Sequence, residues 1–232
     1  MKIRWIFLPF LIVVFQNQSV ISAESQWTEK KLGSLSLKAA QAAKNRNWSE
    51  AILYSKQLLE GTKEIEKPNS TRYINFLKDF NRYHDKAGRL NEVASSVKDA
   101  YFLSKENLGI THPTTRMCRT LYYKLLISNK SYAAAIPLVL ENISILKEGR
   151  NENYKHLQYL KQLYSLYGLS GQLQKEETTL KEFLSLSKSL YNRSDEDNIS
   201  VITNLANNYC RQGKLDEFQH LIDQYNLKYF CE

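Results

Sequence analysis

Apolar residues recur along most of the chain at intervals of three and four residues, a spacing that places side chains on one face of an α-helix. Two apolar blocks, separated by a short polar stretch, make up a unit that then repeats. Each unit is therefore predicted to be a helix, a turn and a second helix. The first block is clearest in its two C-terminal copies, where it consists of Leu160, Leu163, Tyr167, Ile202, Leu205 and Tyr209.

The polar stretch between the blocks follows one six-residue pattern that occurs five times. It begins with Gly88, Gly171 or Gly213 in three copies and with Arg46 or Lys130 in the other two. The glycine is predicted to end the first helix in a left-handed conformation. A fixed period of this size is typical of a solenoid, in which every unit buries its apolar face against its neighbours. The sixth positions are 42, 42, 41 and 42 residues apart, and they are Ala51, Val93, Ala135, Glu176 and Phe218.

These features predict an all-α fold, a right-handed superhelical solenoid of about five helix–turn–helix repeats. Only 8 glycines and 4 prolines occur in 232 residues, which argues against an all-β fold. The repeats are expected near residues 32–73, 74–115, 116–156, 157–198 and 199–232.

The repeat resembles the tetratricopeptide repeat (TPR), and the resemblance covers about residues 32–231. The 42-residue period and the Leu-Gly-x-x-His-Pro connection at residues 108–113 are similar to the kinesin-light-chain subtype of that family. The clearest copy of the family pattern consists of Leu160, Leu163, Tyr164, Tyr167, Gly171 and Leu173.

Two repeats depart from the pattern that the resemblance implies. The family has a small alanine at the sixth position, where the two helices of a repeat approach each other closely. Glu176 and Phe218 occupy that position here. We therefore expect repeat four, and to a lesser extent repeat five, to be shifted or splayed.

The N-terminal residues have the organisation of a secretory signal peptide. Lys2 and Arg4 form a basic head, residues 5–15 carry no charge, and small residues end the segment. The alternative, a membrane anchor, needs about 20 apolar residues, and this run is shorter. We predict a signal peptide at residues 1–23, a tail at 24–31, and an exported protein, periplasmic or secreted, with no membrane span after cleavage.

Charge and motifs argue against several classes of function. The formal net charge is +8, but no cluster of Lys and Arg resembles a nucleic-acid-binding arm, so no nucleic-acid partner is expected. The four histidines lack the spacing of a metal site, and no phosphate-binding loop, nucleophile elbow or CxxC motif occurs. The chain stops at Glu232, soon after the last predicted helix, which leaves no room for an appended catalytic domain. We predict no enzymatic activity, no metal and no cofactor.

The resemblance implies that the first helices of the repeats line a concave groove that binds an extended peptide. Three positions in each repeat, fifteen, eleven and seven residues before the sixth pattern position, are expected to point into it. Seven of these fifteen residues are basic and none is acidic, which favours an acidic partner segment. The alternative, common lysines that face water, explains the same count. The candidate groove residues are Lys44, Lys78, Arg82, Lys86, Lys124, Lys161, Asn207 and Arg211.

The last predicted helix is unusually apolar for the end of a solenoid, where a polar capping helix is normal. Because an exposed apolar patch usually marks an interface, we predict a C-terminal interface and a homodimer formed through it. Cys210 and Cys231 are expected at opposite ends of two antiparallel helices, too far apart to pair, so Cys231 is predicted to be an intermolecular thiol. The alternative is a monomer whose own tail covers this end. The interface residues are Phe218, Leu221, Tyr225, Tyr229, Phe230 and Cys231.

The sequence therefore predicts an exported, non-enzymatic module, a scaffold or adaptor that binds a protein or peptide partner. Two alternatives remain open at this point. One is a regulatory subunit of an envelope enzyme, and the other is an envelope structural protein that assembles with itself.

Overall fold

The computed structural model describes residues 27–148, 153–191, 198–228 and Cys231. These residues form ten α-helices and one short 3-10 helix at Leu90–Val93, and they contain no strand. The α-helices are α1 Glu29–Lys44, α2 Trp48–Ile65, α3 Thr71–Lys86, α4 Ala94–Leu108, α5 Pro113–Ser128, α6 Tyr132–Glu148, α7 Asn153–Leu169, α8 Leu173–Tyr191, α9 Ile199–Gln212 and α10 Leu215–Tyr225.

Each helix packs against the next one along the chain, and α3 also contacts α5. One cluster of buried apolar side chains extends from Leu59 to Phe218, and a smaller cluster joins α1, α2 and α3 around Leu32, Leu58 and Tyr83. Every repeat therefore buries its apolar face on its neighbours. The prediction of an all-α helical repeat solenoid is confirmed.

Short polar side chains set the starts of several helices. Asn47 caps α2 by accepting a hydrogen bond from the backbone N–H of Glu50, and Ser70 caps α3 in the same way. At the start of α5, His112 accepts a hydrogen bond from the N–H of Thr114, while Pro113 occupies the first helical position. His112 thus has a structural role in the helix start.

The first position of the repeated pattern has a left-handed backbone in all five repeats. The φ angles are +72°, +73° and +71° at Gly88, Gly171 and Gly213, as expected from the sequence. Arg46 and Lys130 take the same conformation, with φ angles of +58° and +55°. The turn geometry is therefore kept in every repeat, including the two in which a side chain makes it unfavourable.

The sixth position of the pattern lies where the two helices of a repeat meet. Ala51 and Ala135 are completely buried there. Glu176 is also buried, and it fits because Gly168 faces it: a Cβ atom added to Gly168 would collide with the Glu176 carboxylate. Helix α8 begins at Leu173, the same pattern position at which α2, α6 and α10 begin. The second helices of repeats four and five are therefore not shifted along the chain, contrary to the expectation that repeat four, and to a lesser extent repeat five, is shifted. In repeat four the missing side chain at Gly168 makes room for the larger residue.

Repeat two is the irregular one. A 3-10 helix, Leu90–Val93, replaces the first turn of its second helix, and α4 begins only at Ala94. The branched Val93, at the sixth position, is half-buried, whereas alanine is fully buried at this place in repeats one and three. Buried Asn81 of α3 joins the two helices by donating to the carbonyl of Ser96 and accepting from its hydroxyl. A polar contact thus replaces the close apolar approach.

The C-terminal end differs from the sequence prediction. Cys210 and Cys231 form a disulfide, with their Cα atoms 5.5 Å apart. The prediction that they do not pair is wrong, and so is the assignment of Cys231 as an intermolecular thiol. Helix α10 ends at Tyr225, and Asn226, with a φ of +49°, turns the chain, so residue 231 lies beside α9 and not at the far end of a longer helix. Cys118 is free and buried.

Two further predictions fall outside the described residues, the signal peptide at residues 1–23 and the interface residues Tyr229 and Phe230. Among the residues that are described, no helix combines the length and the apolar character needed to cross a bilayer.

Replacing Gly88 by alanine should destabilise the protein by about 1–2 kcal/mol, because an L-residue is strained at this φ angle. No atom crowds the position, so the loss reports the backbone conformation alone. The matched control is Gly33→Ala in α1, an uncrowded helical position, where alanine should stabilise by up to about 1 kcal/mol. Chemical denaturation measures both, and equal effects of the two substitutions would contradict the assignment of the turn.

Removing the disulfide with Cys210→Ser should cost roughly 3 kcal/mol, since it releases a closed loop of 21 residues. Thermal unfolding of the native protein should show a lower Tm when a reductant is added, and the variant should not respond to the reductant. A Tm of the native protein that is the same with and without reductant would argue against the bond.

Candidate functional site

The exposed side chains of α1, α3, α5, α7 and α9 form one surface, which we call the first-helix face. Four depressions lie along it, each between two successive first helices: α1 and α3, α3 and α5, α5 and α7, α7 and α9. Their volumes are about 330, 380, 550 and 510 Å³ in that order. Seven of the eight candidate groove residues line these depressions, and Lys78 does not.

The depression between α1 and α3 combines cationic and aromatic side chains. Lys44, Arg82 and Lys86 line it together with Trp48 and Tyr83. The Trp48 and Tyr83 rings stack with centroids 6.5 Å apart, and the Arg82 guanidinium carbon lies 5.3 Å from the centre of the Tyr83 ring. Lys44 and Lys86 are exposed and form no ion pair within the described residues. This depression can therefore bind an anionic group beside a flat apolar surface.

Other basic residues of the first-helix face are already paired. Lys78 and Arg82 lie 3.2 and 3.0 Å from the carboxylate of Asp79. Lys124 donates to both carboxylate oxygens of Asp85, at 2.7 and 2.9 Å. These carboxylates neutralise part of the positive charge that the sequence suggested for this face.

At the C-terminal end of the first-helix face, the basic residue Arg211 is also already paired with a carboxylate. The Arg211 guanidinium donates to Glu176 Oε2 at 3.3 Å and to the carbonyl of Gly168 at 3.0 Å. Asn208 donates to the same Glu176 oxygen at 2.8 Å. Asn207 and Arg211 line the depression between α7 and α9. Arg211 therefore helps to hold buried Glu176 in place, in addition to bordering the depression.

The depression between α5 and α7 has an apolar component that the search for basic residues missed. Tyr123, Ile127 and Leu169 line it beside Lys161, and Leu169 is 61% exposed. Lys161 is exposed and unpaired within the described part of the chain. An apolar side chain flanked by a carboxylate would fit this place.

The acids that pair with the predicted groove residues were missed because the prediction considered three positions per repeat. Asp79 directly follows the inward position Lys78, and Asp85 directly precedes Lys86. A helical neighbour one position away projects about 100° around the axis, which still allows contact with the next repeat. A sequence signal was thus present, but only the pairing of α3 with α5 identifies Lys124 as the partner of Asp85.

Two further carboxylates are buried and bound by cations. Glu141 of α6 contacts Arg119 at 2.5 Å and Lys105 at 2.6 Å, and it accepts a hydrogen bond from Tyr101 at 2.9 Å. Burial alone would raise the pKa of Glu141, but these three partners outweigh it and lower that pKa. Arg119, at a position where other repeats have leucine or isoleucine, is buried and also donates to the carbonyl of Ile110.

Glu177 of α8 is the second of these carboxylates. It accepts from Lys181 and Lys214 at 2.6 Å each and from Gln212 at 2.9 Å. Burial opposes its ionisation, but these hydrogen bonds dominate and lower the pKa of Glu177 to about 2. A general acid needs a pKa near the working pH, so the lowered pKa values of Glu177 and Glu141 indicate structural ion pairs.

Within the described residues, no three His, Cys, Asp or Glu side chains are grouped so that they could hold a metal ion. His84 is buried, and its Nδ1 lies 3.0 Å from the carbonyl oxygen of Phe80.

The predicted C-terminal interface is partly covered by the chain itself. Phe218 is buried, and Leu221 is half-buried against the main core. Tyr225 is also half-buried, and Cys231 is bonded to Cys210. These contacts favour the alternative in which the tail covers this end, and a homodimer through it remains a prediction.

Comparison with solved structures places this architecture among TPR-like proteins. A putative kinesin light chain with nearly identical TPR-like repeats from Podosopora anserina is 19% identical, with 84% of this chain and 92% of that chain covered and a TM-score of 0.58. BtubC (BKLC) from P. vanneervenii is 15% identical, with 83% and 77% covered and a TM-score of 0.52. MamA from Desulfovibrio magneticus RS-1 is 14% identical, with 84% and 92% covered and a TM-score of 0.52.

These likenesses show the fold, and the predicted resemblance to TPR-like repeat proteins is confirmed. No protein-family model and no curated protein sequence matches the chain.

The low pKa of Glu177 predicts a specific acid sensitivity. A carboxyl group whose pKa is lower in the folded state stabilises the fold at pH values above its ordinary pKa of 4.5. This contribution is lost as the pH falls towards the folded-state pKa of about 2. The Glu177→Gln variant should therefore be less stable than the native protein at neutral pH. Its stability should also fall less steeply than that of the native protein between pH 4.5 and about 2. The matched control, Glu217→Gln at an exposed position in α10, should follow the native pH profile. Denaturation midpoints measured between pH 7 and about 2 test this prediction. Parallel profiles of midpoint against pH for Glu177→Gln and the native protein would contradict the ion-pair assignment.

Proposed function

We propose that the protein is an exported, non-enzymatic binding module, a scaffold or adaptor that holds an extended acidic segment of a partner protein across the first-helix face. The depression between α1 and α3 carries the proposal. Lys44 and Lys86 stand there beside Arg82 without carboxylate partners in the described part of the chain, and the stacked rings of Trp48 and Tyr83 form its wall.

The row of depressions supports an extended ligand. Four of them follow one another along the face, so a segment that crosses the first helices meets each in turn. The cationic end at α1 and α3 fits a carboxylate-rich stretch, and the apolar place around Leu169 fits an apolar side chain further along. Lys124 and Arg211 are held by Asp85 and Glu176, so they contribute less net positive charge.

Export is supported by two independent features. The N-terminal residues have the charge and apolar pattern of a signal peptide. The Cys210–Cys231 disulfide is of the kind that forms and persists in oxidising compartments outside the cytoplasm.

A non-enzymatic role is supported by the state of the buried carboxylates. Glu141 and Glu177 are each surrounded by cations that favour their charged form, and Glu176 is hydrogen-bonded to Asn208 and Arg211. These side chains join helices of the repeats, and the lowered pKa values of Glu141 and Glu177 make both carboxylates poor proton donors near neutral pH.

The test is charge reversal at the two unpaired lysines. A short labelled peptide rich in glutamate should bind the native protein, and its affinity should fall with added salt, because exposed charges are screened over about 8–10 Å. The double variant Lys44→Glu/Lys86→Glu should weaken binding by about tenfold, mainly through slower association. Fluorescence anisotropy measures the affinity, and stopped-flow mixing measures the association rate.

The control is Lys98→Glu/Lys147→Glu, which changes the net charge by the same amount at exposed positions away from the first-helix face. This variant should bind the acidic peptide nearly as well as the native protein. Equal weakening in both variants would show a general charge effect, and unchanged binding in both would remove the first-helix face from the proposal.

A further inference from the structure

A cavity larger than any of the four depressions lies away from the first-helix face. It is a groove of about 950 Å³ between the second helices α2 and α4, with α3 as its floor. We call it the α2–α4 groove. The irregular start of the second helix of repeat two borders it, because Glu92 and half-buried Val93 of the 3-10 helix line the groove.

The floor and one wall of the α2–α4 groove are apolar. Leu59, Tyr73 and Leu77 form the floor and are nearly inaccessible to solvent. Phe102 projects from α4 with 49% of its surface exposed, and Leu103 beside it is half-buried. A large aromatic side chain left half-exposed beside a concave apolar floor is the usual anchor of a protein interface.

The α4 side of the groove's rim is acidic in a chain whose net charge is +8. Glu60 on α2 and Asp99 and Glu106 on α4 line it, and no ion pair involves them within the described residues. Glu92 also lines it but is paired with Arg89. Two lysines of α2, Lys56 and Lys63, also line the groove, and Lys63 lies over the Tyr73 ring at 5.7 Å from its centre. No lysine of α4 lines it, so the unpaired negative charge is concentrated on the α4 wall, at Asp99 and Glu106.

The shape of the groove fits a helix. Residues 92–106 border it, and at about 1.5 Å per residue this gives a length of roughly 20 Å, or nearly four helical turns. The described residues offer no strand edge to which an extended peptide could add backbone hydrogen bonds. A helix satisfies its own backbone and needs only an apolar stripe for the floor and cations for the rim.

We propose that the α2–α4 groove docks a basic amphipathic helix of a partner protein. Its apolar stripe packs on Phe102, Leu59 and Leu77, and its lysine or arginine side chains face Glu60, Asp99 and Glu106. This surface is separate from the first-helix face, and the unpaired charges of its α4 wall are opposite in sign to those of Lys44 and Lys86. Docking of the basic helix does not depend on the proposed binding of an acidic segment at the first-helix face. Because the two surfaces are separate, the protein can hold both partners at once.

The test uses two synthetic helical peptides with the same leucine stripe at i, i+3, i+4 and i+7. One carries lysine on both flanks of the stripe, and the other carries glutamate there. Both peptides are measured on the Lys44→Glu/Lys86→Glu variant, in which the first-helix face no longer attracts the glutamate peptide. The lysine peptide should bind with an affinity that falls with salt, and the glutamate peptide should bind at least about tenfold more weakly. Equal binding of the two to this variant, or no binding of the lysine peptide, would overturn the proposal.

Variants locate the binding. Asp99→Lys/Glu106→Lys and, separately, Phe102→Ala should each weaken binding of the lysine peptide by about tenfold or more. Asp99 and Glu106 are exposed, so the charge variant tests the groove even if Phe102→Ala disturbs packing. Lys44→Glu/Lys86→Glu, on the first-helix face, should not weaken it.

Two results would assign the groove differently. Unchanged binding in Asp99→Lys/Glu106→Lys would place the peptide elsewhere. A concentration-dependent dimer in sedimentation that this same variant abolishes would show that a second copy of the chain occupies the groove, and the proposal of a separate partner would be wrong.

Discussion

The packing of every helix pair requires the left-handed turn between its two helices. In every repeat one residue with a φ angle between +55° and +73° reverses the chain, so that the second helix returns along the first. Because a repeat has no core of its own, a change in this turn would move one apolar stripe off the other and off the neighbouring repeat. Arg46 and Lys130 keep the conformation despite their side chains, which shows how strongly packing on either side demands it.

The residue at the sixth pattern position then determines how closely the two helices approach. Alanine permits full contact in repeats one and three. Glu176 is accommodated because Gly168 lacks a side chain, and the buried carboxylate becomes a hydrogen-bonding centre for Asn208 and Arg211. Val93 has no such partner, and the first turn of its helix is a 3-10 helix beside an open groove. The residue at the sixth position thus affects both how the helices pack and the surface beside them, the first-helix face near Glu176 and the α2–α4 groove near Val93.

Ion pairing between repeats divides the charge of the molecule into separate regions. Carboxylates hold Lys124 and Arg211, and Lys181 and Lys214 hold Glu177, so much of the formal charge is used inside the structure. Unpaired cations remain beside the aromatic rings between α1 and α3, and unpaired carboxylates remain along the α2–α4 groove. The two proposed binding sites therefore differ in the sign of the charges that are unpaired within the described residues.

The helix pairs, their period and their apolar faces could be predicted from the chain alone, because they follow from spacings of three and four residues and from a turn residue within the same unit. Which distant groups meet depends instead on how the helices pack in three dimensions. Lys124 and Asp85 are 39 residues apart, and neither Asp85 nor the space at Gly168 is visible in a pattern of apolar positions. The Cys210–Cys231 bond was missed because it depends on where α10 ends and how the chain turns at Asn226, and boundaries of short helices are set by packing more than by propensity.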